Sequence, residues 1–224
     1  WRTWRGHLGK PLLAWEWVEG VKAEELLKKT LATAKLMGAG LARLHEVPPR
    51  AAGLELPSGG FWAREAASVE LLLRLRGLRL PRSTLGTFEE REITLLHGDY
   101  SAGNLLVSRG RLFVIDCESA SAGDPLYDVA YCYAFLSASS WRAAEVFAGS
   151  YFELSGRDPS GFAEAVRLVA LKLYSLLSSD FIKSYMRWKA GPLYPVMELA
   201  FLKRLRRHMI RLAGWRDGIL GSVE

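Results

Sequence analysis

The stretch that decides the fold is TLLHGDYSAGNLLVSRGRLFVIDCESASAGDPLYDVA, residues 94–130. It sets His97, Asp99, Asn104, Asp116, Asp124 and Asp128 between short apolar runs. The pattern predicts strands at 93–96, 105–107 and 112–115, the last two joined by a hairpin turn over 108–111. A tight hairpin brings its two ends together. Asn104 at its entrance and Asp116 at its exit are therefore expected to be neighbours, with Asp99 one loop away. One amide oxygen and one carboxylate form a hard, oxygen-only donor set. That suits Mg²⁺, which keeps several waters and takes its remaining ligands from substrate phosphates. Asp99 is placed to accept a proton or to orient a nucleophile. A metal and a base at this spacing are what phosphoryl transfer needs.

Taken singly, each residue has a plainer reading. An Asp or Asn before a strand is usually a turn former, and a single His is usually a buried hydrogen-bonding group. Asp124 before Pro125 reads as a helix N-cap. As a set, Asp99, Asn104 and Asp116 read as a site, because their spacing is specific only jointly.

Composition bounds the rest. The chain has 224 residues, 50% hydrophobic and 24% charged, which is ordinary for a globular domain with a sizeable core. The most membrane-like run, 126–141, holds Asp128 and three serines, so no membrane span is expected. Cys117 and Cys132 fit no metal spacing and read as buried and reduced, which points to the cytoplasm. A net charge of +6 reads as solubility, since the arginines are spread along helical segments. No glutamine occurs, and Asn104 is the one asparagine. Depletion of heat-labile amides suits a thermophile. An amide retained in such a chain has a task that Asp or Ser cannot perform.

Along the chain, residues 1–18 read as extended, a hairpin or two edge strands, with GHLGKP (6–11) separating the two runs as a turn would. Helical periodicity runs through 22–46, where Gly38 and Gly40 mark a close crossing or a break. Further helices are expected at 61–80, 126–137, 140–154, 160–179, 180–189 and 193–212.

The run His97-Gly98-Asp99, four residues, Asn104, then Ile115-Asp116, then Gly123-Asp124-Pro125, two residues and Asp128, resembles the aminoglycoside phosphotransferase and choline kinase-like family. These are small-molecule kinases with a protein-kinase-like fold. The resemblance implies an α+β architecture, mostly a helical C-terminal lobe with a small catalytic β-hairpin and a remnant of the N-lobe and hinge strands. Residues 1–20 would be that remnant. Residues 21–224 would be the helical lobe, with a catalytic loop at 97–104 and a metal-binding segment at 112–128. ATP would be the phosphoryl donor, Asp99 the base, and Asn104 and Asp116 the Mg²⁺ ligands. His97 would support the loop, Asp124 and Asp128 would tie the following helix to it, and Glu118 would help orient the metal site. Upstream, LLAWEWVEG (12–20) looks like the last strand and hinge, with the backbone of Glu16 and Val18 at the adenine edge and Trp15 or Trp17 near its face. Plain core is an equally good reading of those tryptophans. GLARLHEV (40–47) matches the helix after the hinge, where His45 is structural.

The chain departs from the family pattern upstream. Eleven residues precede Leu12, with one lysine, Lys10, and no glycine-rich loop ahead of a lysine-bearing strand. The reading is a fragment of a longer kinase, whose isolated 224 residues bind ATP poorly. A lobe supplied by another polypeptide is one alternative, and a non-catalytic binding or scaffold module descended from such a kinase is another. A metal-dependent phosphohydrolase fits the sparse ligand set less well. The expected partner is a small hydroxyl substrate, with neither nucleic acid nor membrane. The basic stretch FLKRLRRHMIRLAGWR (201–216) reads as a terminal helix packed on the core with a solvated face. Were that face functional, a neutral or anionic acceptor would be favoured over an aminoglycoside.

Overall fold

The computed structural model describes residues 2–5, 11–14, 17–55, 60–78 and 92–214. The turn expected at 6–11 lies largely outside them, as do Trp15, Glu16 and residues 79–91. Strands β1 (Arg2–Arg5) and β2 (Pro11–Ala14) pair antiparallel, Arg2 opposite Ala14, as the hairpin reading requires. The fold is α+β, mostly helical with small antiparallel sheets.

The helical run expected over 22–46 is three elements. Val21 and Lys22 form strand β3, which pairs with residues 106–107. Helix α1 (Ala23–Leu27) then stops, and α2 (Ala32–Leu44) begins afresh. The break falls at Thr30, whose hydroxyl accepts the Ala32 N–H at 3.1 Å, as a Thr at a helix start does. Gly38 and Gly40 do not break α2. They let it cross its neighbours closely: a Cβ on Gly38 would lie 2.4 Å from the Phe147 carbonyl oxygen, and one on Gly40 2.3 Å from Leu112 Cδ2. Helix α3 (Phe61–Arg74) ends before the expected residue 80. There Leu78 N–H bonds Leu73 O at 3.0 Å and Gly77 N–H bonds Arg74 O at 2.9 Å, a glycine-terminated stop.

Strand β4 (Thr94–Leu96) is buried and pairs with β7 (Ser121–Gly123), a strand the periodicity does not reveal. Strands β5 (Leu105–Ser108) and β6 (Arg111–Val114) form the expected hairpin. Its two-residue turn has positive φ at both Arg109 (49°) and Gly110 (73°), whose twist matches that of the strands.

Helix α4 (Leu126–Ser139) is the membrane-like run, and its residues are apolar nearly all round because it is the central helix. Val129, Ala130, Cys132 and Ala134 are fully buried. Against it pack α5 (Trp141–Ser155) and α6 (Phe162–Leu177), and α2 packs on α5, with Met37, Leu41, Phe147, Tyr151, Val169 and Leu173 in one core. Helix α7 (Asp180–Ala190) leads to a short α8 (Tyr194–Met197), a π-helical turn (Glu198–Leu202) and α9 (Lys203–Leu212). The single helix expected at 193–212 is thus irregular at its start, where Pro195 has no N–H to give. Among the described residues no helix is long and apolar enough to cross a membrane.

Candidate active site

Strand β4 delivers His97 to the centre of the molecule. The next residue must be glycine. Gly98 has φ of 80°, and a Cβ there would lie 2.3 Å from the Ser119 carbonyl oxygen. Asp128, in the first turn of α4, grips this bend from below. Its fully buried carboxylate accepts the His97 N–H at 2.7 Å and the Gly98 N–H at 2.9 Å. His45 Nε2 lies 3.4 Å from the same carboxylate, and His45 Nδ1 meets the Tyr151 hydroxyl at 2.9 Å. His45 is structural.

The His97 ring has one tautomer compatible with its partners. Nδ1 accepts the Asp99 N–H at 3.2 Å, so the ring proton sits on Nε2, which donates to the Ile115 carbonyl at 3.0 Å. One imidazole therefore links the residue before Asp116 to the backbone of Asp99.

Asn104 ends a 3₁₀ turn (Ala102–Asn104) and opens β5. Its Nδ2 donates to both the Asp99 carbonyl and Asp99 Oδ2, each at 3.0 Å. Its own carbonyl accepts the Ile115 N–H at 3.0 Å, which sets Asp116 next to it along the returning strand. Asp116 is exposed and left-handed, with φ of 64°. Asp adopts this conformation more readily than bulky residues do, and such backbone gathers at functional sites. The amide holds Asp99 through its nitrogen, and its oxygen is the group left for a cation. Among the described residues no three His, Cys, Asp or Glu gather into a metal site. A sparse pair of oxygens, one neutral and one anionic, fits an ion that completes its shell with phosphates and water.

Asp99 also lines a cavity of about 680 Å³, within the range of small-molecule sites. Ser101, Phe135, Glu24, Lys28 and Arg204 line it too. Tyr131 faces Asp99. Burial, and then the hydrogen bond to Asp99, push its hydroxyl pKa up, so it remains a donor to that carboxylate. Tyr131 and Arg204 were not singled out in the sequence. The available signal for Tyr131 was its place in an aromatic repeat of period four on α4, Tyr127, Tyr131 and Phe135, whose rings touch in series.

The remaining expected residues sit as follows. Asp124 is buried, accepting the Leu126 N–H at 2.8 Å and the Trp62 indole N–H at 2.8 Å. It thus caps α4 and pins α3 to the start of that helix. Glu118 is exposed in the turn after Asp116, and among the described residues it makes no hydrogen bond to the loop. Val18 is half-buried, three residues ahead of β3, which pairs with β5 and so runs beside the hairpin. Glu16 lies outside the described residues. Trp17 is 85% exposed, which excludes it from the core. Cys117 is exposed too, contrary to its apolar neighbours in sequence, because the strained bend at Asp116 turns it outward.

The sequence pattern of the phosphotransferase enzyme family matches residues 1–164. Among solved structures, the chain resembles a protein assigned to the aminoglycoside phosphotransferases from Ralstonia eutropha JMP134. That match has 18% identity and a TM-score of 0.64, over 89% of this chain and 71% of that one. A choline/ethanolamine kinase family protein from Mesorhizobium loti matches at 15% identity and a TM-score of 0.53, over 85% and 70%. The GDP complex of aminoglycoside 2′-phosphotransferase-IIIa matches at 17% identity and a TM-score of 0.59, over 92% and 73%. No curated protein sequence matches significantly.

Proposed function

Because the chain belongs to the phosphotransferase enzyme family, we propose that it is a small-molecule kinase that moves the γ-phosphoryl group of ATP to a hydroxyl group of a small acceptor. The observation that carries this reading is the hold of the Asn104 amide on Asp99 at the wall of the 680 Å³ cavity. Asp99 accepts the proton of the acceptor hydroxyl as the oxygen attacks the γ-phosphorus. The new P–O bond forms as the bond to the β–γ bridging oxygen breaks, and ADP leaves with that electron pair. Tyr131 and Asn104 orient the carboxylate, so that it meets the hydroxyl in one geometry. Asn104 and Asp116 would hold Mg²⁺, whose charge offsets that of the nucleotide phosphates. An Asp at position 104 would add negative charge beside the base and lose the N–H donor.

Residues 1–20 serve in this reading as N-lobe strands and hinge, with Val18 and Glu16 at the adenine edge. Residues 21–224 form the helical lobe. His97, Asp124 and Asp128 position the loop, and Glu118 lies in the segment that follows the metal ligand.

The test is phosphoryl transfer from ATP and from GTP to a panel of hydroxyl compounds, by the wild type and by Asp99→Asn. The substitution is expected to lower kcat by about a hundredfold or more, with circular dichroism and Tm unchanged. Unchanged transfer removes Asp99 from the mechanism. Nucleotide binding without transfer to any acceptor favours the non-catalytic module.

A further inference from the structure

The acceptor cavity opens beside a second one. A cavity of about 460 Å³ lies between the end of α4 and one face of α9. Arg204, Ala138 and Ser139 stand in the walls of both. Arg204, Arg207, His208 and Arg211 follow at helical spacing, so α9 presents them along one stripe to this cavity.

Such a stripe is costly to assemble without a counter-charge. On the other side of α9 the chain does supply one: Arg206 meets Glu198 at 3.5 Å. Among the described residues Arg204, Arg207 and Arg211 have no carboxylate within 4.0 Å. The plain alternative is that they cap the C-terminal carbonyls of α4. Among the described residues none of these arginine side chains bonds a carbonyl of α4, and the Leu136 carbonyl there is already served twice. Ser137 donates to Ala134 O at 3.1 Å, Ser139 to Leu136 O at 3.0 Å, and the Ser140 N–H to Leu136 O at 2.7 Å. Arg207 turns its Nε back to the Lys203 carbonyl at 3.4 Å, and the side chains of Arg204 and Arg211 make no hydrogen bond among the described residues. His208 is spent on Ser137, at 2.9 Å. Burial first, and then Arg211 and Arg204, lower its pKa, which reports the positive potential in this corner.

We propose that the phosphoryl acceptor is an anionic hydroxy compound, whose carboxylate or phosphate group is held by Arg204 and Arg211 while its hydroxyl reaches Asp99. This inference rests on the kinase reading above and adds the charge class of the substrate. Guanidinium groups bind carboxylates and phosphates through paired, charge-assisted hydrogen bonds. Arg204 stands in the wall of the cavity that Asp99 lines, so one small molecule can meet both. Amine-bearing acceptors are disfavoured by the same charges.

The experiment has two arms. In the first, transfer from ATP is compared within matched sets of polyols carrying a carboxylate, a phosphate ester, no charge or an amine. The expected result is a preference of about tenfold or more in kcat/KM for a carboxylate or phosphate member, and the two anions separate the two sources of charge. In Arg204→Gln/Arg211→Gln the KM for that acceptor should rise by about tenfold or more, with the KM for ATP little changed. A preference for neutral or amine members overturns the proposal and leaves the kinase reading standing. The second arm needs no catalysis. Inorganic phosphate is titrated calorimetrically, without Mg²⁺ and at fixed ionic strength, into the 224-residue chain. Saturable one-site binding that is lost in the double variant supports the arginine pocket even if no transfer is found. Binding that is absent, or equal in the variant, makes the stripe a solvated face and overturns the proposal.

Discussion

Asp128 shows how much one side chain can organise. Two backbone N–H groups and one imidazole converge on a carboxylate with no exposure to water. In Asp128→Asn one oxygen becomes an NH₂ group facing donors. Stability is expected to fall by about 2 kcal/mol, read from the urea midpoint, because buried donors lose their acceptor. Transfer should fall as well, since the bend that carries Asp99 loosens. His208 supplies a pH signature at the same scale. Its folded pKa lies below its ordinary value of 6.5, because burial and two arginines oppose the charged form. A depressed folded value means that the unfolded chain binds more protons just below that pH. The stability contributed is present above about pH 6.5 and is lost as pH falls through the lowered folded value. The urea midpoint of the wild type should therefore drop between about pH 7 and pH 5.5 more steeply than that of His208→Asn. Equal slopes would remove His208 as the source.

Helix crossings are decided one element at a time. Helices α2 and α5 touch backbone to backbone at Gly38, where a Cβ would stand 2.4 Å from Phe147 O and 2.9 Å from Tyr151 N. Alanine gains about 1 kcal/mol of helix propensity over glycine. Overpacking against a backbone that cannot yield costs about 1–3 kcal/mol. The clash should win, and Gly38→Ala is expected to lower the thermal midpoint. Gly149, on α5, has nothing within 4 Å of a Cβ, so propensity acts alone there. Gly149→Ala should raise stability by about 0.5–1 kcal/mol. Opposite signs in two Gly→Ala variants, measured in one denaturation series, check the packing of this pair of helices.

At the scale of the whole molecule, the loop after β4, the β5–β6 hairpin and the first turn of α4 are separate in sequence and joined by His97, Asn104 and Asp128. The proposed donor set of Asn104 and Asp116 is too sparse to hold a divalent ion alone, so metal and nucleotide should bind as a unit. A nucleotide with Mg²⁺ at about a hundredfold Kd should stabilise the chain by about 2.7 kcal/mol. The same nucleotide with EDTA should shift Tm far less. Asn104→Ala and Asp116→Ala should each abolish the Mg²⁺-dependent part, and a shift that survives in both would place the cation elsewhere.

What the sequence determined by itself was local. Turn chemistry at 108–111, the apolar runs beside it and the joint spacing of 99, 104 and 116 were readable because hairpins and 3₁₀ turns close over few residues. So was the single retained amide, which turns out to present its N–H groups to Asp99. Tertiary structure decided what depends on partners distant in the chain. Strand β7 exists because β4 lies opposite it. Lys22 joins a strand because β5 offers an open edge, and Trp17 is exposed although its type suggests a core. The convergence of Arg204 on the cavity of Asp99 is of the same kind. Periodicity gives a helix its faces, but only the packed fold decides what each face meets.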